Sequence, residues 1–361
     1  MRVALDGTPL LDPPTGVGRY TRELSDGLEN MGVDVRRYAV ARGGEAPPEV
    51  TRLKVPARVA QWAWQRSNMP SVARLVEGAD VIHGTNFVLP PLEGAAGVVT
   101  VHDLSYRAAD AFPGAQRLER LVPWSMQRAH QVVTLTQAVA DEIVDAYDVE
   151  PERVSVTHLG VSPVFFGATP LSDVALAGMG IARPFILATG TDAPRKNLQL
   201  LLDAWVATRG ALKGWTLVLA GPRGWGPRFG RTDDVHPLGW VGDETLPGLM
   251  AAADVFCFPS LYEGFGMPPL EAMAAGTACI VGDYSCAAEV LGDTAAIVDR
   301  HDHHALADRL VDLVRDEGAR ARLARLGRAR ASGFTWERTA RATLDVYRLA
   351  ADRAQVGSPA G

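Results

Sequence analysis

Two carboxylates, Glu263 and Glu271, bracket the run GFGMPPL, and the residues between them decide what each acid can do. Pro268 and Pro269 cannot continue a helix that began earlier, but they suit the first turn of one that begins there. Glu263 is therefore expected on a loop and Glu271 on the helix that follows. Gly264 and Gly266 expose backbone N–H groups at that helix start, where the dipole favours phosphate or hydroxyl oxygens. Such an arrangement can hold a sugar on the loop carboxylate and a ribose diol on the helical one. The plainer alternative is a helix-capping loop with one solvated acid. A second segment, GTDAPRKN from Gly190 to Asn197, sets Arg195 and Lys196 side by side after a glycine-bearing turn. A guanidinium fork beside an ammonium point charge is what a diphosphate needs; the alternative is a solvated basic pair.

Three more segments carry weaker signals. TVHDLSY ends an apolar run with His102 and Asp103. A neutral imidazole there can hydrogen-bond a sugar hydroxyl while the acid orients the loop, or the two form a structural pair that caps the next segment. VIHGTN puts His83 and Asn86 at another strand end, with a lesser version of the same claim. TGVGRY follows the opening strand and leads into a helix, so Gly16 and Gly18 permit close approach of backbone N–H groups to an anion. It is neither G-x-G-x-x-G nor a Walker A, which disfavours a dinucleotide or ATP, and a plain turn explains it equally well. The cluster RHDHH (His301, Asp302, His303, His304) reads as an exposed helix start rather than a metal site. No D-x-D motif accompanies the other segments, so neither metal nor cofactor is expected.

The elements that must position these residues are short apolar runs alternating with amphipathic stretches. Strands are expected at Arg2–Asp6, Val33–Val40, Asp80–His83, Val98–Asp103, Gln131–Thr136 and Val154–His158. The rhythm repeats at Phe185–Thr189, Thr216–Ala220, Val235–Leu238, Asp254–Pro259, Ala278–Gly282 and Ala295–Asp299. Most are continuous rather than alternating, as strands covered by helices on both faces require. Strand and helix in series imply a doubly wound α/β architecture. With 361 residues and roughly 150 per domain, two such halves fit. The seam is expected in Gly160–Arg183, where Pro163, Gly167 and Pro170 break the pattern. Domains are accordingly placed at 1–165 and 183–335, with a final helix over 336–354.

Composition narrows the function classes. Thirty-six basic against 42 acidic side chains give a net charge of −6, which offers no general attraction to nucleic acid. Three cysteines without a C-x-x-C pair exclude a disulfide scaffold and suit a reducing compartment. The chain enters strand-like sequence at once, without a basic-then-apolar leader, and has no membrane-spanning apolar run. A cytoplasmic location is expected. Residues 50–76 carry Arg52, Lys54, Arg58, Arg66 and Arg74 with Trp62 and Trp64 and no acid. They fit peripheral contact with the inner membrane face, or a solvated helix whose tryptophans fill the core. The two tryptophans point to different sides of a helix, which leaves no clean membrane face.

Taken together, EGFGMPPLE, PRKN, TGVGRY, VHDLSY and the LGWV that precedes AAADVFCFPS resemble a retaining family 4 glycosyltransferase, mannosyltransferase-like, over nearly the whole chain. That resemblance implies the GT-B arrangement of two Rossmann-like domains facing across a cleft, with the last helix crossing back to the N-terminal domain. It implies that Glu271 holds the donor ribose, that Glu263 lies by the transferred sugar, and that Gly264, Phe265, Gly266 and Met267 present backbone groups to sugar and diphosphate. Arg195 and Lys196 would neutralise the leaving diphosphate, and His102 would stand next to the donor hexose. Gly16 and Gly18 would form the phosphate-side loop, Gly190 would lie in the donor site, and Trp240 and Val241 near the base. His83, Asn86 and Asp103 remain acceptor-side candidates. GTAC and CAAEV lack prolines common at these places, and Ala193 replaces a frequent acid, departures expected to affect loop rigidity more than chemistry.

The implied reaction moves a hexose, mannose from GDP-mannose, to a hydroxyl of a glycan, lipid-linked or small-molecule acceptor. The nucleotide sugar is a co-substrate rather than a cofactor. Fixed cations and oriented N–H donors suit the charge that grows on the leaving oxygen. Retention can follow double displacement on a carboxylate, whereas the resemblance implies same-face attack assisted by the leaving phosphate. A GT-B sugar-nucleotide epimerase and a non-catalytic nucleotide-sugar-binding subunit are the alternatives.

Overall fold

Continuous β-branched runs lose least when both faces are buried, and here they form the centres of two wholly parallel sheets. The computed structural model describes residues 1–11, 15–43, 47–76, 78–108, 111–112, 114–226, 230–232 and 234–356. The chain divides into two compact units, one made of Met1–Gly160 with Trp336–Gly361 and the other of Val161–Thr335.

Unit 1 contains β1 (Arg2–Asp6), β2 (Asp34–Val40), β3 (Val50–Leu53), β4 (Val81–Gly84), β5 (Ala96–Thr100), β6 (Gln131–Thr134) and β7 (Val154–Val156). Their order is β3-β2-β1-β4-β5-β6-β7. Chain order reverses between β1 and β4, and it is at such a point, beyond the carboxyl ends of the strands, that open α/β sheets bind ligands. The edge strand β3 was not expected from sequence. It reads VTRL, with Thr51 and Arg52 turned outward or half-exposed, and one short edge strand has no continuous apolar run to announce it. The helix Trp336–Val356 belongs to this unit and packs along the helix Gly16–Asn30. Thr339 Oγ1 donates to the His158 carbonyl at 2.7 Å. Its apolar face places Ala340, Val346, Tyr347 and Ala350 inward at helical spacing.

Unit 2 contains β8 (Phe185–Thr189), β9 (Thr216–Ala220), β10 (Val235–Gly239), β11 (Val255–Phe258), β12 (Ala278–Gly282) and β13 (Ala296–Val298), in the order β10-β9-β8-β11-β12-β13. Its reversal falls between β8 and β11. The unit starts at Val161, so residues 161–165, expected with the first domain, belong here, as does all of the expected seam but Gly160. Leu171 N–H donates to the Gly248 carbonyl at 3.1 Å, and Arg183 pairs with Asp173 at 3.2 Å. Helices cover both sheets, and separate apolar cores surround Ile82 and Val99 in unit 1 and Ile186 and Val255 in unit 2. The three cysteines are buried and free. Among the described residues no helix is long and apolar enough to cross a membrane.

Candidate active site

Because β8 and β11 are neighbours, the loops at their carboxyl ends meet. The loop after β8 carries Arg195 and Lys196, and the loop after β11 carries Glu263. Lys196 Nζ donates to Glu263 Oε1 at 2.6 Å, and Arg195 Nη1 donates to the same oxygen at 3.0 Å. Arg195 also reaches the Tyr262 carbonyl at 3.2 Å. Lys196 and Glu263 are buried, whereas the Arg195 side chain keeps about a third of its surface exposed. Burial pushes the Glu263 carboxyl up, but Lys196 and Arg195 more than reverse this and hold it below the usual carboxylate range. Two cations therefore share one carboxylate oxygen. Asn197, at φ 54°, turns the chain and donates through Nδ2 to the Pro259 and Arg300 carbonyls, which locks the basic loop to the end of β11. Lys196 Nζ also lies 4.6 Å from the Phe258 ring centroid.

From Glu263 the chain turns through Gly266 into the helix Met267–Ala274. Gly266 has φ 86°, and a Cβ there would lie 2.6 Å from the Tyr284 hydroxyl. Only glycine serves this turn. Prolines at the second and third helical positions remove two of the four N–H groups that a helix start leaves over. Gly266 and Met267 carry the remaining two. Glu263 is on the loop and Glu271 in the helix, buried, as the proline rule requires.

A cavity of about 220 Å³ in the same unit is lined by Gly190, Asp192, Gly221, Arg223 and Gly239, among others, at the carboxyl ends of β8, β9 and β10. At Gly221 two backbones pack closely, since a Cβ there would stand 1.9 Å from the Gly190 carbonyl oxygen. Trp240 follows Gly239 with 60 % of its surface exposed, and Val241 is half-buried. Neither lines the cavity.

In unit 1 the histidines divide. His102 Nε2 lies 2.8 Å from the Thr85 carbonyl oxygen, which only accepts, so Nε2 carries the proton and Nδ1 the lone pair. Burial lowers its pKa and favours the neutral ring. His83 is a correction: it is fully buried, with Nδ1 2.7 Å from the Tyr347 hydroxyl and Nε2 2.8 Å from Thr100 Oγ1. Nδ1 ties the last helix to the sheet and Nε2 ties β4 to β5, so the ring does not face an acceptor. Asp103 is a second correction. Its Oδ1 accepts from Ser105 N–H at 2.9 Å and Ser105 Oγ at 2.7 Å, the capping role. Gly18 is a third, because its N–H donates to Thr15 Oγ1 at 3.1 Å and is not offered to a phosphate. Gly16 remains exposed in the first turn of its helix, and Asn86 lines cavities beyond β4. Asp302 caps its helix through His304 and Ala305 N–H, and among the described residues no group of His, Cys, Asp and Glu is arranged to hold a metal.

Residues 14–165 match the family profile described as Glycosyltransferase Family 4, and residues 183–316 match that of Glycosyl transferases group 1. The MMP alpha-(1->4)-mannosyltransferase of Mycolicibacterium hassiacum is 31 % identical over 98 % of this chain and 99 % of its own. The chain belongs to glycosyltransferase family 4. The glycosyltransferase is also similar to the O-antigen chain mannosyltransferase B of Escherichia coli, 29 % identical over 97 % of this chain and 100 % of that one. Its fold is GT-B: sucrose-phosphate synthase from Thermosynechococcus elongatus superposes with a TM-score of 0.73 at 20 % identity, covering 96 % of this chain and 98 % of that one.

Sequence inspection alone missed several parts of the glycosyltransferase site. Tyr284 is buried beneath Gly266 and edge-on to Phe258. Cys286 Sγ donates to the Glu263 carbonyl at 3.2 Å. Asn197 stood in the PRKN motif, and an asparagine before a helix is the one signal that pointed to a left-handed turn there.

Proposed function

We propose that this glycosyltransferase moves a mannose from GDP-mannose to a hydroxyl of a glycan, lipid-linked or small-molecule acceptor, with retention at the anomeric carbon. The observation that carries the proposal is the cluster of Arg195 and Lys196 on Glu263, next to the helix start that bears Glu271. Its two fixed cations suit a diphosphate whose charge grows as the glycosidic bond breaks, and the chemistry then needs no metal. Glu271 accepts from the ribose diol. Gly264, Phe265, Gly266 and Met267 offer backbone groups to the sugar and diphosphate. The cavity at Gly190 and Gly239 takes the base, with Trp240 and Val241 following Gly239 outside its lining, and His102 bonds a hexose hydroxyl through Nδ1. Gly16 lies on the phosphate side. Glu263 Oε1 already accepts from two cations, which makes it a poor nucleophile and favours same-face attack over double displacement. The mannose assignment is supported by the names of the two relatives. Exposed Val59, Trp62 and Met69 near Arg58 and Arg66 favour peripheral contact with an anionic membrane face.

A thermal-shift panel of GDP, UDP, ADP and dTDP sugars tests the donor, since a ligand that binds only the folded state raises its stability. GDP-mannose is expected to give the largest shift, and the product of its turnover to keep the donor's anomeric configuration by NMR. A shift confined to UDP-glucose would overturn the donor assignment, and an inverted product would overturn retention.

A further inference from the structure

Beside the reversal point of the unit 1 sheet lies a cavity of about 780 Å³, within the usual size range of small-molecule sites. Three arginines line it. Arg58 comes from the first turn of the helix Ala57–Trp64, and Arg117 and Arg120 from the start of the helix Leu118–Arg128. Arg117 and Arg120 are three apart on one helical face and repel rather than support each other. Burial and the nearby Arg58 both weaken the hold of Arg117 on its proton. Among the described residues no carboxylate lines the cavity. None of the three makes an ion pair or side-chain hydrogen bond among the described residues. Asp6, in an adjoining cavity of about 80 Å³, is engaged with Thr8 N–H at 2.9 Å. Like charges gathered without a counter-charge are costly, and an anion relieves that cost. Gln61, Gln116 and Asn86 add amide donors around the same space, and Phe112 supplies an apolar wall.

We propose that this cavity binds a phosphoryl group carried by the acceptor, held by the guanidinium forks of Arg58, Arg117 and Arg120. Planar forks match phosphate oxygens in pairs, and the position beyond β4 is where an open α/β sheet takes its ligand. The proposal deepens, and rests on, the reading of this protein as transferring a sugar to an acceptor hydroxyl. It excludes a neutral acceptor without a phosphate.

The test is isothermal titration of the full chain with phenyl phosphate in one arm and dihexanoyl phosphatidic acid, below its micellar concentration, in the other. Both are run with GDP saturating the donor side. Saturable binding of either probe, weakened about tenfold by Arg117→Gln or by Arg58→Gln and kept by Arg195→Ala, supports the proposal. Tighter binding of the phosphatidic acid identifies a lipid headgroup as the source, and tighter binding of phenyl phosphate a soluble ester. Arg120→Gln, on an exposed side chain, provides a third variant should either of the others fail to fold. Absence of binding by both probes, or equal affinity in folded variants, overturns it. Failure of the donor reading is separate: GDP-mannose would then give no thermal shift while the phosphate probes still bound.

Discussion

At the reversal point of each sheet the two units treat charge differently. Unit 2 spends its cations internally, with Arg195 and Lys196 sharing one oxygen of a buried carboxylate. Unit 1 gathers Arg58, Arg117 and Arg120 with no acid beside them among the described residues, and keeps its buried histidines neutral. The same architecture therefore supplies one preorganised, nearly compensated ion cluster and one uncompensated basic cavity. A compensated cluster holds its geometry before substrate arrives, which is what stabilising a transition state demands. An uncompensated one has most to gain from binding an anion, which is what holding a charged substrate demands.

The contrast can be broken most severely at Glu263. Glu263→Gln leaves buried Lys196 without its counter-charge and is expected to destabilise unit 2 by about 3–5 kcal/mol. Hydrogen exchange, read separately for the two units, checks whether the loss is confined to unit 2. Gly266→Ala is expected to cost about 1–3 kcal/mol, from its left-handed backbone and the Tyr284 hydroxyl in the way, and urea unfolding measures it. In unit 1 the lever is pH. Burial, helped by His102, lowers the His83 pKa to about 3, while in the unfolded chain an imidazole titrates near 6.5. The His83 contribution is complete above that value. As pH falls the unfolded chain gains a proton that the folded one refuses, and stability drops by up to about 1.4 kcal/mol per pH unit. Asp6, raised to about 6 by burial, works in the opposite sense, since its folded form keeps a proton that the unfolded one has lost. The slope is therefore read as the difference between wild type and His83→Gln, from pH 7 to 4. A mutant as acid-sensitive as wild type would remove His83 from the account. The smallest effect is expected at Arg117→Gln, a few tenths of a kcal/mol towards greater stability as one repulsion is relieved, seen as a slight rise in Tm.

The sequence made the strands legible because a strand buried on both faces must be apolar throughout, and Phe185–Thr189 or Ala278–Gly282 can be little else. The start of the helix Met267–Ala274 was equally open to inspection, because proline admits so few backbone positions. Sheet order was not. Lys196 and Glu263 are 67 residues apart, and nothing local says that β8 and β11 lie side by side. Thus the pair that makes the cluster was visible only as two separate motifs. His83 and Asp103 had the right chemistry at the right strand ends, but Tyr347 and Thr100 had already claimed both His83 nitrogens and Ser105 one Asp103 oxygen. Gly18 was misread for a similar reason: Thr15 caps its own helix and takes the N–H.

The most direct test of the cluster is the single-turnover rate of sugar transfer in Arg195→Ala. This variant keeps the Lys196–Glu263 pair and hence the fold. With donor binding confirmed by thermal shift, the rate is predicted to fall about 100-fold or more, the scale of losing one charge-stabilising donor. A folded, donor-bound Arg195→Ala that transfers sugar at the wild-type rate would contradict the role assigned to these cations.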